Sequence, residues 1–226
     1  LQQCIIRGIR VAPINSGAAL RLPSSLSELV LHSIDRNKWN LQDSGLSAVS
    51  LLCLHYWSVS SAAWIKLIRG LSSLTKFQVT ESVHFDDECL ALLCETCLQL
   101  EHVDIDDSDG NITLRNALFA TSTLLRLHTL ALMQSSAHND IVVPDEDLIG
   151  LPLSSFAALR SISLHGYHIN PITYAVMCSG FPKLEKCGVF LRDARELRVF
   201  LQIMNTVLGV SRPAVKVLPY LRISIV

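Results

Sequence analysis

Apolar residues recur along the chain in the spacing Leu-x-x-Leu-x-Leu, with isosteres, and each recurrence opens a stretch of roughly 25 residues. The clearest copies are Leu26-x-x-Leu29-x-Leu31, Leu74-x-x-Phe77-x-Val79, Leu100-x-x-Val103-x-Ile105, Leu127-x-x-Leu130-x-Leu132 and Leu159-x-x-Ile162-x-Leu164. Four weaker copies are Leu1/Cys4/Ile6, Val49/Leu52/Leu54, Leu184/Cys187/Val189 and Leu218/Leu221/Ile223. With the first apolar residue as phase zero, the copies start at 1, 26, 49, 74, 100, 127, 159, 184 and 218, in steps of 25, 23, 25, 26, 27, 32, 25 and 34. A phase held from end to end predicts one continuous stack over residues 1–226, with no internal linker.

Within each unit, alternation around the second and third apolar positions predicts a short strand with one side turned to the core and the other to solvent. Helical spacing follows it over Ser61–Gly70, Asp87–Cys97, Ile112–Leu125, Pro171–Gly180 and Asp193–Leu208. Asn170-Pro171 supplies a cap acceptor and a preset φ, and Asp193-x-x-Glu196 has the form of a capping box. Gly70 and Gly180 stand where a helix C-terminus favours a left-handed residue.

One strand-helix unit cannot cover its own apolar face, so neighbours must stack, and strands on one side with thicker helices on the other bend the stack. The predicted fold is α/β: a horseshoe-shaped solenoid of about nine repeats, with a parallel sheet on the concave face and helices on the convex face. The stretch Gln134–Asp147, acidic at its end (Asp145, Glu146, Asp147), lies inside the step of 32 and is predicted to protrude as a second candidate contact surface.

Half of the 226 residues are apolar and 17% are charged, which suits a core running the length of the stack. A formal net charge of −1 gives no overall attraction to nucleic acid or to an anionic membrane, so neither is expected as a partner. The uninterrupted apolar runs fall far short of the ~18 residues of a membrane span. The first residue already sits on the repeat's phase and neither end carries a polar cap. The chain is therefore expected to be the C-terminal part of a larger protein with flanking domains.

Seven cysteines form no dense pairing pattern, and Cys4 and Cys187 stand where the repeat wants Leu. Behaving as small hydrophobes, they point to a reducing compartment, and a cytoplasmic location is expected. The sequon Asn111-Ile-Thr113 carries meaning only in a secreted chain.

Positions 3, 5 and 7 of each unit should point away from the core. The candidate protein-binding face on this map is Lys76, Gln78, His102, Asp104, Asp106, Asp107, Met133, His165 and Phe190. Asp104, Asp106, Asp107 and Asp109 make an acidic spot beside His102, suited to a basic peptide. At a strand spacing of ~4.8 Å, His32 and His55 become lateral neighbours with Cys53 nearby.

No metal site is expected. Asp104-x-Asp106-x-Ser108 opens like a calcium loop, but Asp109 occupies the position that needs Gly, and Arg115 the position that needs Glu. His32, His55 and Cys53 lack a fourth zinc ligand, and Cys94-Glu-Thr-Cys97 is a lone pair assigned to helix packing. The chain holds no G-x-S-x-G, phosphate loop, H-E-x-x-H or dinucleotide fingerprint. Neither catalytic residues nor a cofactor is expected.

The unit Asp86–Ile105, reading Asp-Asp-Glu-Cys-Leu-Ala-Leu-Leu-Cys-Glu-Thr-Cys-Leu-Gln-Leu-Glu-His-Val-Asp-Ile, resembles the cysteine-containing repeat of F-box proteins, and Asn170–Val189 is similar to it. The chain as a whole resembles a leucine-rich-repeat protein of the long, ribonuclease-inhibitor-like type. The Asn or Cys that usually closes the strand segment is mostly absent, and irregular repeats of this sort also end nucleotide-binding innate immune receptors. The resemblance implies a non-enzymatic module that binds a protein or peptide ligand. It would be the ligand-sensing or autoregulatory domain of an intracellular nucleotide-binding immune receptor, or alternatively the substrate-binding domain of an F-box-type ubiquitin ligase adaptor.

Overall fold

A computed structural model describes residues 3–6, 26–34, 46–57, 59–81, 84–107, 110–134, 141–191, 193–208 and 216–221. The strands in chain order are β1 (Gln3–Ile6), β2 (Glu28–Ile34), β3 (Leu51–Trp57), β4 (Lys76–Thr80), β5 (His102–Asp106), β6 (Thr129–Met133), β7 (Ile141–Val142), β8 (Ser161–His165), β9 (Tyr167–His168), β10 (Lys186–Leu191) and β11 (Lys216–Leu221). The helices are α1 (Ser61–Arg69), α2 (Asp87–Thr96), α3 (Leu114–Thr121), α4 (Asp145–Leu148), α5 (Pro171–Gly180) and α6 (Ala194–Leu208).

Nine of the strands form one sheet in the order β1-β2-β3-β4-β5-β6-β8-β10-β11, all neighbours parallel. The apolar phase read from the sequence sets the register. Leu29, Leu52, Phe77, Val103, Leu130, Ile162 and Cys187 are successive Cα partners across seven strands, and all are buried. A slip of one residue would turn that whole row to solvent, so the hydrophobic effect fixes the alignment.

A second periodic device lies just before each strand. One carbonyl accepts from two successive amides of the next unit: Ser27 from Ser50 and Leu51, Ser50 from Thr75 and Lys76, Thr75 from Glu101 and His102. The series continues with Glu101 to His128 and Thr129, His128 to Arg160 and Ser161, and Arg160 to Glu185 and Lys186. Each of these turns thus satisfies its backbone through its neighbour.

The last predicted copy is out of frame. Lys186 pairs with Lys216 and Cys187 with Val217, so Val217 takes the row assigned to Leu221. Phase zero moves from 218 to 214, and the step from 184 becomes 214 − 184 = 30. The segment Val217-Leu-Pro-Tyr-Leu-Arg-Ile-Ser-Ile offers apolar residues in two frames four apart, and the spacing alone does not choose between them.

α1 turns Trp64, Leu67 and Ile68 inward, and Trp64 packs edge-on to Phe85 at 4.9 Å. α2 buries Cys89, Leu90, Leu93 and Cys94, and its first turn is capped by Asp86, whose carboxylate accepts from the Cys89 amide at 2.9 Å. α3 is shorter than the predicted Ile112–Leu125. Thr113 caps it, and at its end the hydroxyls of Thr121, Ser122 and Thr123 donate back to carbonyls three or four residues earlier, competing with continued helix. α5 keeps its predicted bounds, with the Asn170 side chain accepting from the Ile172 amide. Asp193 caps α6 by accepting from the amides of Arg195 and Glu196.

Gly70 and Gly180 are not left-handed caps: Gly70 has φ −85°, and neither has a positive φ. Both sit in tight quarters instead: a Cβ on Gly180 would lie 2.8 Å from Leu153 Cδ1, which would have to shift, and one on Gly70 would lie 3.1 Å from Leu46 Cδ1.

The stretch expected to protrude after β6 instead folds back onto the stack at both ends. Gln134 is buried, β7 pairs with β9 in a small second parallel sheet, and Asp145 accepts from Thr173 at 2.7 Å. Residues 135–140 lie outside the described residues. Among the described residues no helix is long and apolar enough to cross a membrane.

Candidate functional site

Strands β4, β5, β6 and β8 carry most of the candidate residues on the face opposite the buried rows, because alternate residues of a strand point to opposite sides. Lys76 and His102 are Cα partners, as are Gln78 and Asp104. On the other side of β5, Asp104 pairs with Ala131 and Asp106 with Met133, and Met133 pairs in turn with His165 on β8. Seven of the nine predicted residues therefore share one continuous patch, in which Lys76, Gln78, His102, Asp104 and His165 are partly exposed and Met133 is 38% exposed. Asp106 shares the face but retains only 7% of its surface, so it floors the patch instead of presenting itself. Phe190 belongs to β10, as the Cα partner of Tyr220, and its side chain lies outside the described residues, as does Asp109.

Asp107 does not belong to the patch. It falls on the core parity of Val103 and Ile105, is 3% exposed, and accepts from the Ile112 amide at 2.7 Å and from the Gln134 side-chain amide at 3.0 Å. Its carboxylate closes the turn after β5 and is a structural group. The acidic spot thereby shrinks to Asp104 over Asp106.

The environment of Asp104 is mixed. Burial pushes its carboxyl above the ordinary range, the Lys76 ammonium pulls it down, Asp106 pushes it up and His55 pulls it down, with a net rise. The carboxylates of Asp104 and Asp106 thus share their surroundings with the Lys76 ammonium and with His55. Cys53 lines the same face and donates its thiol to Gln78 Oε1 at 3.3 Å, and burial raises the thiol above its usual range. His32 and His55 are Cα partners, as the strand spacing predicts. His128, which the repeat pattern did not single out because it precedes the strand, brings its ring within 6.3 Å of His102.

The six cysteines whose side chains are described, Cys53, Cys89, Cys94, Cys97, Cys178 and Cys187, are unbridged and buried. Burial pushes the thiols of Cys89, Cys94 and Cys97 up to about 12, and Cys97 donates to the Leu71 carbonyl at 2.7 Å. Both members of the Cys94-x-x-Cys97 pair are therefore protonated packing residues at neutral pH. Among the described residues no group of three or more His, Cys, Asp or Glu side chains is arranged to hold a metal ion.

An internalin of Listeria monocytogenes has a similar structure, with a TM-score of 0.53 over 90% of this chain and 50% of that one, at 14% sequence identity. The fold is of the leucine-rich-repeat type. This chain spans about half the length of that internalin, and at such low identity the likeness concerns the fold alone. No family model matches the sequence, and no curated protein matches it. In a leucine-rich-repeat fold the strand faces just described form one exposed sheet surface, and it is there that Lys76, Gln78, His102 and Asp104 come together.

Proposed function

We propose that this chain is a non-enzymatic protein-recognition module that binds a protein or peptide ligand on its exposed sheet face, using Lys76, Gln78, His102 and Asp104 as the centre of the contact. The nine strands belong to a horseshoe of nine repeats in which that face is concave. The observation that carries the reading is the pairing of Lys76 with His102 and of Gln78 with Asp104 on adjacent strands. It sets four polar side chains of different chemistry on a rigid sheet, where each can meet a partner at little further entropic cost. A basic group of the ligand sits against the partly exposed Asp104 carboxylate.

The biological setting that fits is a cytoplasmic ligand-sensing or autoregulatory domain of a nucleotide-binding immune receptor, joined to flanking domains of the same chain. A substrate-binding role in a ubiquitin ligase adaptor is the alternative. A nucleotide-binding module in the full-length protein supports the first setting, and an F-box the second.

The test is site-specific photo-crosslinking in cells expressing the full-length protein. A crosslinker at Gln78 is expected to trap a partner that Asp104→Lys loses, while one at the exposed Arg198 of α6 traps nothing in common with it. Trapping of the same partner from Arg198 but not from Gln78 would overturn the assignment of the face.

A further inference from the structure

On the opposite side of the molecule, a groove of about 400 Å³ runs between α2 and α3. Ala91, Phe119 and Ala120 give it an apolar lining, and Thr123 lies at one end. Phe119 is 63% exposed, an uncommon state for a large aromatic side chain in the middle of a helix. In the turns that follow α2 and α3, Leu98 and Leu125 are 57% and 69% exposed.

The polar rim has one sign. α2 reads Asp-Glu-Cys-Leu-Ala-Leu-Leu-Cys-Glu-Thr, with three carboxylates and no basic residue. Asp87 is already engaged, accepting from Thr113 and from the Asn116 side chain at 2.8 Å. Glu88 and Glu95 are exposed and line the groove. The nearest basic residue of α3, Arg115, donates instead to the carbonyls of Glu146 and Asp147, away from the groove. Glu88, Ala91 and Glu95 stand at i, i+3 and i+7, so they share one helix face with the small residue between the two carboxylates. At ~1.5 Å per residue the two glutamates are about 10 Å apart along the axis.

We infer that this groove is a docking site for a cationic amphipathic helix of a partner protein. The occupant seats a Leu- or Phe-sized side chain over Ala91 against Phe119, and places Lys or Arg two turns apart to meet Glu88 and Glu95. The volume accommodates a side chain and part of a helical turn, and the charges on the rim are complementary to that pattern and repel its acidic counterpart. An apolar anchor flanked by exposed ion pairs is also the arrangement in which the anchor supplies affinity and the charges supply orientation.

The experiment uses the intact chain and two fluorescein-labelled helical peptides. One carries Lys at i and i+7 with Leu at i+3 and i+4, and the other has Glu in place of both Lys. Fluorescence anisotropy is expected to show saturable binding of the Lys peptide, with the Glu peptide weaker by about tenfold or more, the discrimination expected of two charge reversals at a rim. Ala91→Trp, which fills the groove, abolishes binding. Glu88→Lys with Glu95→Lys, at exposed positions that leave the core intact, reverses the preference between the peptides. Absence of saturable binding, equal affinity for both peptides, or unchanged binding by Ala91→Trp overturns the proposal. A concentration-dependent dimer of the protein alone, lost in Ala91→Trp, also overturns it by assigning the groove to a second copy. Asp104→Lys leaves peptide binding intact, so failure here and failure of the sheet-face reading are separable.

Discussion

The side-chain amide of Gln134 donates to the carboxylate of Asp107 at 3.0 Å, joining the ends of two successive strands through buried polar groups. The same amide reaches the Tyr167 hydroxyl at 3.2 Å, and that hydroxyl donates to the Ile112 carbonyl at 3.3 Å. This network closes the stack at the place where the repeat is longest. There the core-facing positions at the strand ends turn polar, at Asp107 and Gln134, and the chain leaves for β7 and returns.

Asp107→Ala is expected to destabilise the protein by about 1–3 kcal/mol, the cost of a buried donor left without its partner. The Ile112 amide loses its acceptor, whereas the Gln134 amide keeps the Tyr167 hydroxyl and the Ile112 carbonyl. Asp107→Asn costs less, because its carbonyl oxygen still accepts. The urea midpoint measures both, with the slope checked for constancy. A midpoint unmoved in the alanine variant would show that water replaces the carboxylate without penalty.

Gly166→Ala tests the return of the chain. Gly166 has φ +82°, and a Cβ there would lie 2.3 Å from the Gln134 carbonyl oxygen and 2.8 Å from its Cβ. That oxygen is backbone, so it cannot swing aside, and the loss should exceed the roughly 1–2 kcal/mol of left-handed strain alone. Thermal unfolding gives the answer, and a variant as stable as the parent would place the turn differently.

The polarity of the strands explains how much of this was legible in the sequence. Leu29, Leu52, Phe77, Val103, Leu130 and Ile162 were placed in one buried row by spacing alone, because the free energy of that row depends only on parity and period. The same parity puts Asp107 and Gln134 on the core side, and reading them by charge instead of position assigned one to the surface and the other to a protruding loop. Charge says what an exposed group would do, whereas parity says whether it is exposed. The pairing of β7 with β9 had no signal, since strands of two residues carry no period. The α2–α3 groove depends on how two helix faces meet, which a pattern within one helix does not contain.

Asp104 sets a pH dependence. Burial is the main cause of its raised pKa, so the folded state holds the proton more tightly than the unfolded state, and ionising the group costs stability. The cost appears as pH rises from the ordinary carboxylate value through the folded value, and persists above it. Asp104→Asn should therefore gain stability relative to the parent across that window and hold the gain to neutral pH. Paired urea titrations at stepped pH test the sign, and a difference independent of pH would show that the group titrates normally.

Asp86 acts in the opposite direction. Burial pushes its carboxyl up, but bonds from Cys89 and from the Ser61 hydroxyl outweigh that and hold it below the ordinary range. Its contribution is complete above the unfolded carboxylate pKa of about 3.9 and is lost as pH falls through the folded value. Asp86→Ala should cost ~1 kcal/mol at neutral pH, the usual worth of a helix cap, and less in strong acid, where the neutral carboxyl is a weaker acceptor. An equal loss at both pH values would mean that the carboxylate charge contributes nothing to the cap.

Leu130 is fully buried between Val103 and Ile162, its Cα partners on β5 and β8. Leu130→Ala should cost ~2–5 kcal/mol, because the strands on either side are held by their own rows and cannot collapse into the space. A stacked array transmits such damage only to neighbours. The double variant with Val103→Ala should therefore depart from additivity, as the two side chains share one cavity, while the double variant with Leu29→Ala, three strands away from Val103, should be additive within ~0.5 kcal/mol. Equilibrium unfolding of the single and double variants measures both cycles. Strong coupling to Leu29 with none to Val103 would mean that the rows do not stack in the order the sheet implies.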